Sequence, residues 1–403
     1  MKQLFFAILF VCSNFIFAQT KVTDTITSQK LNEDREITIS LPPSYEKNKT
    51  KKYPVLVLLD SDFLLDPFQG NLNYGYFWDD LPEMIVVGIN QNNKRDTDCV
   101  VDDQNGLPSE KGENFFEFIG SEVLPYIEKK YRIAPFRMIA GLDTTAGFLN
   151  FYLYKDTPIF DAYMSFSPEL ARGMEEQIPE RLSVIQKPIF YYVSSADGDP
   201  IETQDKIKTM AGLAKKITNP KFNFRYENFE NASHYSLVLH SIPSALYQIF
   251  SLYQPISIKE FKEKIAPLSS GYVDYLIKKY EVLENSFGLK LQIRISDFKA
   301  IEAAILKNKD YNEFDKLAQL AQKNYPKSML ANYEMGLMYE KKRDIKNAVK
   351  NYQSAYQMQE IGDLTKEMML NKIDELKGVI KEEKNKVQET PEEVPAETVP
   401  EKK

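Results

Sequence analysis

Short apolar runs at 55–59, 84–87, 138–140, 162–166 and 189–193 recur along the first 250 residues, several rich in β-branched side chains, with helical patterns between most of them. That alternation predicts a mostly parallel, doubly wound sheet with helices on both faces. In such a sheet a ligand site lies at the carboxyl ends of the strands. From about residue 256 to 380 the periodicity becomes helical with few strand signals, so a smaller all-helical domain is expected to follow.

Within the first region, the segment 137–148 reads as a strand, a sharp break and a helix. The run 138–140 ends at Gly141, and residues 148–154 are apolar at helical spacing, which places the break at 142–145. This is the layout of a nucleophile elbow, G-x-S-x-G, where a strained turn lifts one side chain above the sheet edge. Here the five positions are Gly141, Leu142, Asp143, Thr144 and Thr145. The central position is an acid. Thr145, a β-branched residue where a close helix crossing calls for glycine or alanine, argues for a relaxed turn, with Ala146 and Gly147 one step late.

Residues 25–250 resemble the family described as putative esterases of the α/β-hydrolase fold, which includes esterase D-like and siderophore esterase-like proteins. The segments that carry the resemblance are 31–45, a first strand and loop; 52–62, a central strand and oxyanion loop; 82–90 with 94–96; the helix 115–132; and 160–170 after the elbow. The resemblance implies that Asp143 stands at the family's serine. It also implies that His234, within Asn231-Ala232-Ser233-His234-Tyr235-Ser236, is the catalytic base, and that Asp197, after the strand at 189–193, orients the imidazole, with Asp199 close behind it. Backbone N–H groups of Thr144 and Ser61 are the implied oxyanion donors, although the acid Asp62 beside that mouth opposes a developing negative charge. His240 falls inside the next helix and reads as packing.

Three function classes follow from these residues. A carboxylate attacking an ester carbonyl gives a mixed anhydride, so the favoured reading is an esterase-like protein that has lost serine chemistry and works by binding or as a scaffold. The alternative is an active hydrolase in which Asp143, His234 and Asp197 attack an sp³ carbon, as in dehalogenases and epoxide hydrolases, or a residual carboxylic ester hydrolase. Ser165 and Ser167, near another strand end, carry no nucleophile role in the resembling family. No metal-ligand spacing and no cofactor motif is present, so none is expected.

The rest of the chain bounds the setting. Residues 1–18 form a short basic start and an apolar stretch ending at Ala18, which reads as a signal peptide for export to a periplasmic or secreted location. The stretch is too short to argue for a transmembrane segment. Cys12 lies inside it, leaving Cys99 as the sole cysteine of residues 19–403 and excluding an intramolecular disulfide there. Net charge is −7 with no basic stripe, which argues against nucleic acid. The expected division is 19–253 for the hydrolase-like domain, 254–380 for the helical domain and 381–403 for a charged, proline-bearing disordered tail. Met335, Gly336 and Tyr339, then Ala348, Tyr352 and Ala355, match one tetratricopeptide-like repeat. A weaker unit keeps register at Ala318, Ala321 and Pro326, but Glu302 stands at its glycine position. Such repeats suit a protein or peptide partner, and the hydrolase pocket a small molecule.

Overall fold

The computed structural model describes residues 20–388. The signal-peptide expectation at 1–18 and most of the expected tail lie outside these residues. The last helix runs as far as Gln388, past the domain end expected at 380.

The chain divides into two compact units. Of the described residues, the first contains 20–254 together with Leu283–Leu289, and is built on one eight-stranded sheet. Strands β1 (Thr20–Ser28), β2 (Glu33–Leu41), β3 (Tyr53–Leu58), β4 (Ile85–Ile89), β5 (Ile133–Leu142), β6 (Ala162–Phe166), β7 (Ile189–Gly198) and β8 (Phe222–Ser233) are arranged in the order β1-β2-β4-β3-β5-β6-β7-β8. β1 and β2 pair antiparallel, as do β2 and β4; every later pairing is parallel. The central strands β3, β4 and β6 are buried at every position, as expected of strands covered on both faces.

Three helices matter to the site. Helix α1 (Ser61–Phe77) follows β3, the single-turn α2 (Thr144–Phe148) follows β5, and α3 (Leu237–Ile249) follows β8. Each begins at the carboxyl end of a parallel strand, so their first residues converge on one edge of the sheet. The segment Leu283–Leu289 packs back on this unit, with the ring of Phe287 4.9 Å from Phe136 and 5.2 Å from Phe250.

Strand β7 runs five residues beyond its expected end, and this bears on the site. β7 continues from Val193 to Gly198 because Ser194 and Ser195 are buried and paired with β8, Ser195 exchanging hydrogen bonds with Tyr226 and Asn228. Polar residues therefore extend an apolar strand.

The second unit is helical. Helix α4 (Tyr272–Phe287), of which Tyr272–Val282 belong to this unit, is followed by α5 (Ile295–Asn308), α6 (Glu313–Asn324), α7 (Leu330–Lys341), α8 (Ile345–Tyr356) and α9 (Lys366–Gln388). Phe298, Ile301, Phe314, Leu317, Met329, Tyr352, Met369 and Ile373 share its core. A Cβ at Gly336 would lie 2.6 Å from the ring of Tyr352, so the glycine lets α7 and α8 approach closely. Glu302, at the corresponding place on α5, instead accepts a hydrogen bond from the Tyr333 hydroxyl at 3.3 Å.

Candidate active site

Asp143 occupies the turn between β5 and α2 with φ 57° and ψ −116°, a strained conformation for a residue with a side chain. The turn is tied down on every side. Its N–H donates to Phe166 O at 2.9 Å, while its carbonyl accepts from Gly147 N at 2.9 Å and Glu169 N at 3.0 Å. Gly147 permits that second bond: a Cβ there would sit 1.9 Å from Glu169 O.

Thr145 does not relax the elbow, contrary to expectation, because its hydroxyl is used by the turn. Thr145 Oγ1 accepts from Leu142 N at 3.0 Å and lies 2.5 Å from Asp60 Oδ2, to which it donates. A Cβ at Gly141 would fall 2.6 Å from the same oxygen, so the motif's surviving glycine makes room for the threonine.

Asp60 sits at the end of β3 with φ 53°, almost fully buried, and holds Arg95 through its Nε at 2.8 Å and Nη2 at 3.4 Å. Burial pushes the Asp60 carboxyl up from its ordinary value, and Arg95 and Thr145 oppose that shift. Arg95 also donates to Leu142 O at 2.7 Å and brings Nη1 within 3.6 Å of Asp143 Oδ2. Neither Asp60 nor Arg95 was singled out as a site residue, although both fall in segments that carry the family resemblance. Their positions, 35 residues apart in sequence, give no local sign that they meet.

His234 follows β8 directly, and its Nδ1 is 2.8 Å from Oδ1 of Asp199. The partner of the imidazole is thus Asp199, not Asp197. Since β7 runs on to Gly198, Asp197 lies within the strand, where its carboxylate accepts from Asn231 N at 3.0 Å and Asn228 Nδ2 at 3.2 Å. Asp199 falls in the turn beyond, its side chain fully buried and its second oxygen bonded to Ala196 N at 2.7 Å. Gly198 allows the approach, because a Cβ there would meet Ser233 Cα at 2.7 Å and His234 N at 2.9 Å. Ser167, buried and at φ 44°, brings its hydroxyl within 3.5 Å of the same imidazole nitrogen, on the side already taken by Asp199.

Asp143 and His234 border one cavity of about 500 Å³, walled by Phe63, Leu64, Pro67, Val238 and Leu239, with Tyr235 and Arg95 at its edge. No hydrogen bond or ion pair joins the two residues among those described. Asp143 also borders a second, larger cleft of about 860 Å³, which Thr144 shares. Of the expected oxyanion donors, Thr144 starts α2 and Ser61 starts α1, so both backbone N–H groups belong to helix first turns, which attract negative charge. The Ser61 hydroxyl is turned to Asn90 Oδ1 at 2.8 Å, and Asp62 accepts from Asn92 N at 3.1 Å. His240 stacks on Phe229 with ring centres 5.3 Å apart, away from these groups.

A mostly parallel sheet in this order, a strained elbow after β5 and a histidine–carboxylate pair after β8 and β7 are the features of the α/β-hydrolase fold. Residues 28–181 match the family model described as "Putative esterase". No curated protein matches the chain. Among solved structures, an uncharacterised protein from Capnocytophaga ochracea aligns at 28% identity and TM-score 0.79, covering 89% of this chain and 100% of its own. That share exceeds the hydrolase unit, so the helical unit belongs to the likeness too. An IroE-like serine hydrolase from Shewanella oneidensis aligns at 20% identity and TM-score 0.58, covering 75% of this chain and 99% of its own, and agrees in fold.

Proposed function

We propose that the hydrolase unit binds a small molecule and performs no serine-type acyl transfer, in a protein exported on the strength of its first 18 residues. One observation carries this reading: the residue displayed by the strained elbow is a carboxylate, with Arg95 beside it and no hydrogen bond to His234. Attack by that carboxylate on an ester carbonyl would end in an anhydride. The conformation is costly, on the order of 1–3 kcal/mol for such a backbone, and the surrounding hydrogen bonds hold it, which supports a use for the displayed group. The close helix pairing at Gly336 supports a role for the helical unit in engaging a protein or peptide.

The retained His234–Asp199 pair favours one second reading. Asp143 would displace a leaving group from an sp³ carbon, forming an alkyl ester and releasing the leaving group with its electron pair. Water deprotonated by His234 would then attack the ester carbonyl, freeing the alcohol and restoring the carboxylate.

Asp143→Ser separates the readings. With elbow, imidazole and carboxylate in place, the variant is expected to hydrolyse an aryl ester about 10²-fold or more faster than the parent, and His234→Ala in that background should remove the gain. The parent should release no product from aryl esters, alkyl halides or epoxides. A mass increase on the Asp143 peptide after exposure to an alkyl halide would replace the binding reading with the second one.

A further inference from the structure

Placing a carboxylate at the elbow reverses what the cavity asks of a ligand. An ester substrate brings a carbonyl oxygen, which needs donors, whereas the groups facing this cavity are mainly acceptors. Asp143 presents two carboxylate oxygens, with its side chain about a third exposed. His234 is held at Nδ1 by the buried Asp199 carboxylate, so in its neutral form the proton sits on Nδ1 and Nε2 carries a lone pair. The cation lining the cavity, Arg95, donates to Asp60 and the Leu142 carbonyl and lies 3.6 Å from Asp143 as an ion pair without a hydrogen bond. The remaining wall is hydrocarbon, and its mouth carries the exposed side chains of Phe63, Tyr235 and Leu239.

The cleft on the other side of Asp143 adds charge of the same sign. Asp96, Asp102, Asp103, Glu169, Glu175 and Glu202 line it against Arg172 and Lys206, and one buried oxygen of Glu175 has no hydrogen-bond partner. A cleft lined by one sign of charge raises the local concentration of the opposite ion.

Building on the binding reading, we infer that the cavity at Asp143 takes a primary amine on an aryl or alkyl tail, the ammonium donating to the Asp143 carboxylate and the His234 Nε2 while the tail lies along Phe63, Pro67 and Leu239. The volume of about 500 Å³ lies within the range that holds small organic ligands. An alcohol of the same shape supplies one donor and no charge, and a carboxylate supplies none.

Titration calorimetry on the full chain tests this with 2-phenylethylamine, 2-phenylethanol and 3-phenylpropionate. The amine is expected to bind about tenfold or more tightly than the alcohol, as a charge-assisted hydrogen bond warrants, and the propionate not at all. Asp143→Asn should weaken the amine about tenfold and leave the alcohol unchanged. Leu239→Arg, a change at an exposed position that does not burden the fold, puts a cation where the tail lies and should weaken the amine more than the alcohol, which shares that wall but carries no charge. Propionate binding as tightly as the amine, an unchanged amine affinity in Asp143→Asn, or no binding of any of the three would overturn the inference. Turnover of an ester or alkyl halide by the parent would instead sink the binding reading, and the amine affinity would still be measurable.

Discussion

Three buried carboxylates, two in the first unit and one in the helical unit, differ in whether they have partners. In the hydrolase unit Asp98 lies under Arg35, which reaches it through Nη1 at 2.6 Å and Nη2 at 3.0 Å, and Asp60 lies under Arg95 and Thr145. Burial pushes both carboxyls up, and the guanidinium groups oppose the shift. In the helical unit Glu334 on α7 is fully buried and neither of its oxygens has a hydrogen-bond partner. Burial drives its carboxyl well above the ordinary range, and the charge of Glu302 adds to the effect. A buried acid with a partner organises its surroundings as an anion; one without a partner is held as the neutral acid and costs stability.

The largest expected effect tests the partnered case. Arg35→Met leaves Asp98 in the interior with Gln91 Nε2 at 3.4 Å, and removing one member of a buried pair costs about 3–5 kcal/mol. Urea unfolding should show the loss in its midpoint, with the slope unchanged if the native state is otherwise intact. A loss below about 1 kcal/mol would mean that the pair is wetter than its burial indicates.

Glu334→Leu tests the opposite case and should stabilise the helical unit, on the order of 1–4 kcal/mol at neutral pH, by analogy with buried ionic groups replaced by apolar ones. The pH dependence has a definite sign. With its folded pKa raised above the ordinary 4.5, Glu334 stays protonated in the native state while the unfolded chain ionises, so stability is full below that value and falls as pH rises. The slope is about 1.4 kcal/mol per pH unit for one such group. Glu302, raised first by burial and opposed by the Tyr333 hydrogen bond, acts in the same direction. Calorimetric scans of the full chain from pH 5 to 9 should show the decline, and Glu334→Leu should flatten it. Identical pH profiles for parent and variant would show that Glu334 has a partner in solution.

Much of the first unit is legible because its physics is local. Apolar runs of strand length bounded by helical periods identify β3 to β7, and the broken elbow motif finds Asp143 because the turn needs its own residues in sequence. The choice between Asp197 and Asp199 depends on where β7 ends, and that depends on Ser194 and Ser195 pairing with β8, which periodicity read from apolar residues misses. Thr145 reads as an obstacle until Asp60, 85 residues earlier, supplies its hydrogen-bond partner. The contrast in the second unit is less legible still. Glu334 and Glu340 lie on the same helix, and nothing in their immediate sequence tells which has partners.

Glu340 gives the finest test of the comparison, because it is the partnered carboxylate of that same helix. Burial raises its carboxyl, but hydrogen bonds from Lys372 at 2.8 Å, the Tyr352 hydroxyl at 2.6 Å and Lys341 at 3.0 Å outweigh it and hold the pKa below the ordinary value. Its contribution is therefore present above pH 4.5 and is lost as pH falls through the lowered folded value, the reverse of Glu334. Lys372→Met removes one of three partners, and for a half-buried pair screened by solvent the expected loss is about 0.5–1 kcal/mol near neutral pH. The loss should shrink in acid, where Glu340 is protonated in both variants, and the decline toward alkaline pH should persist because it belongs to Glu334. A Lys372→Met profile that loses the alkaline decline instead would place the two carboxylates in one coupled network and remove the distinction between them.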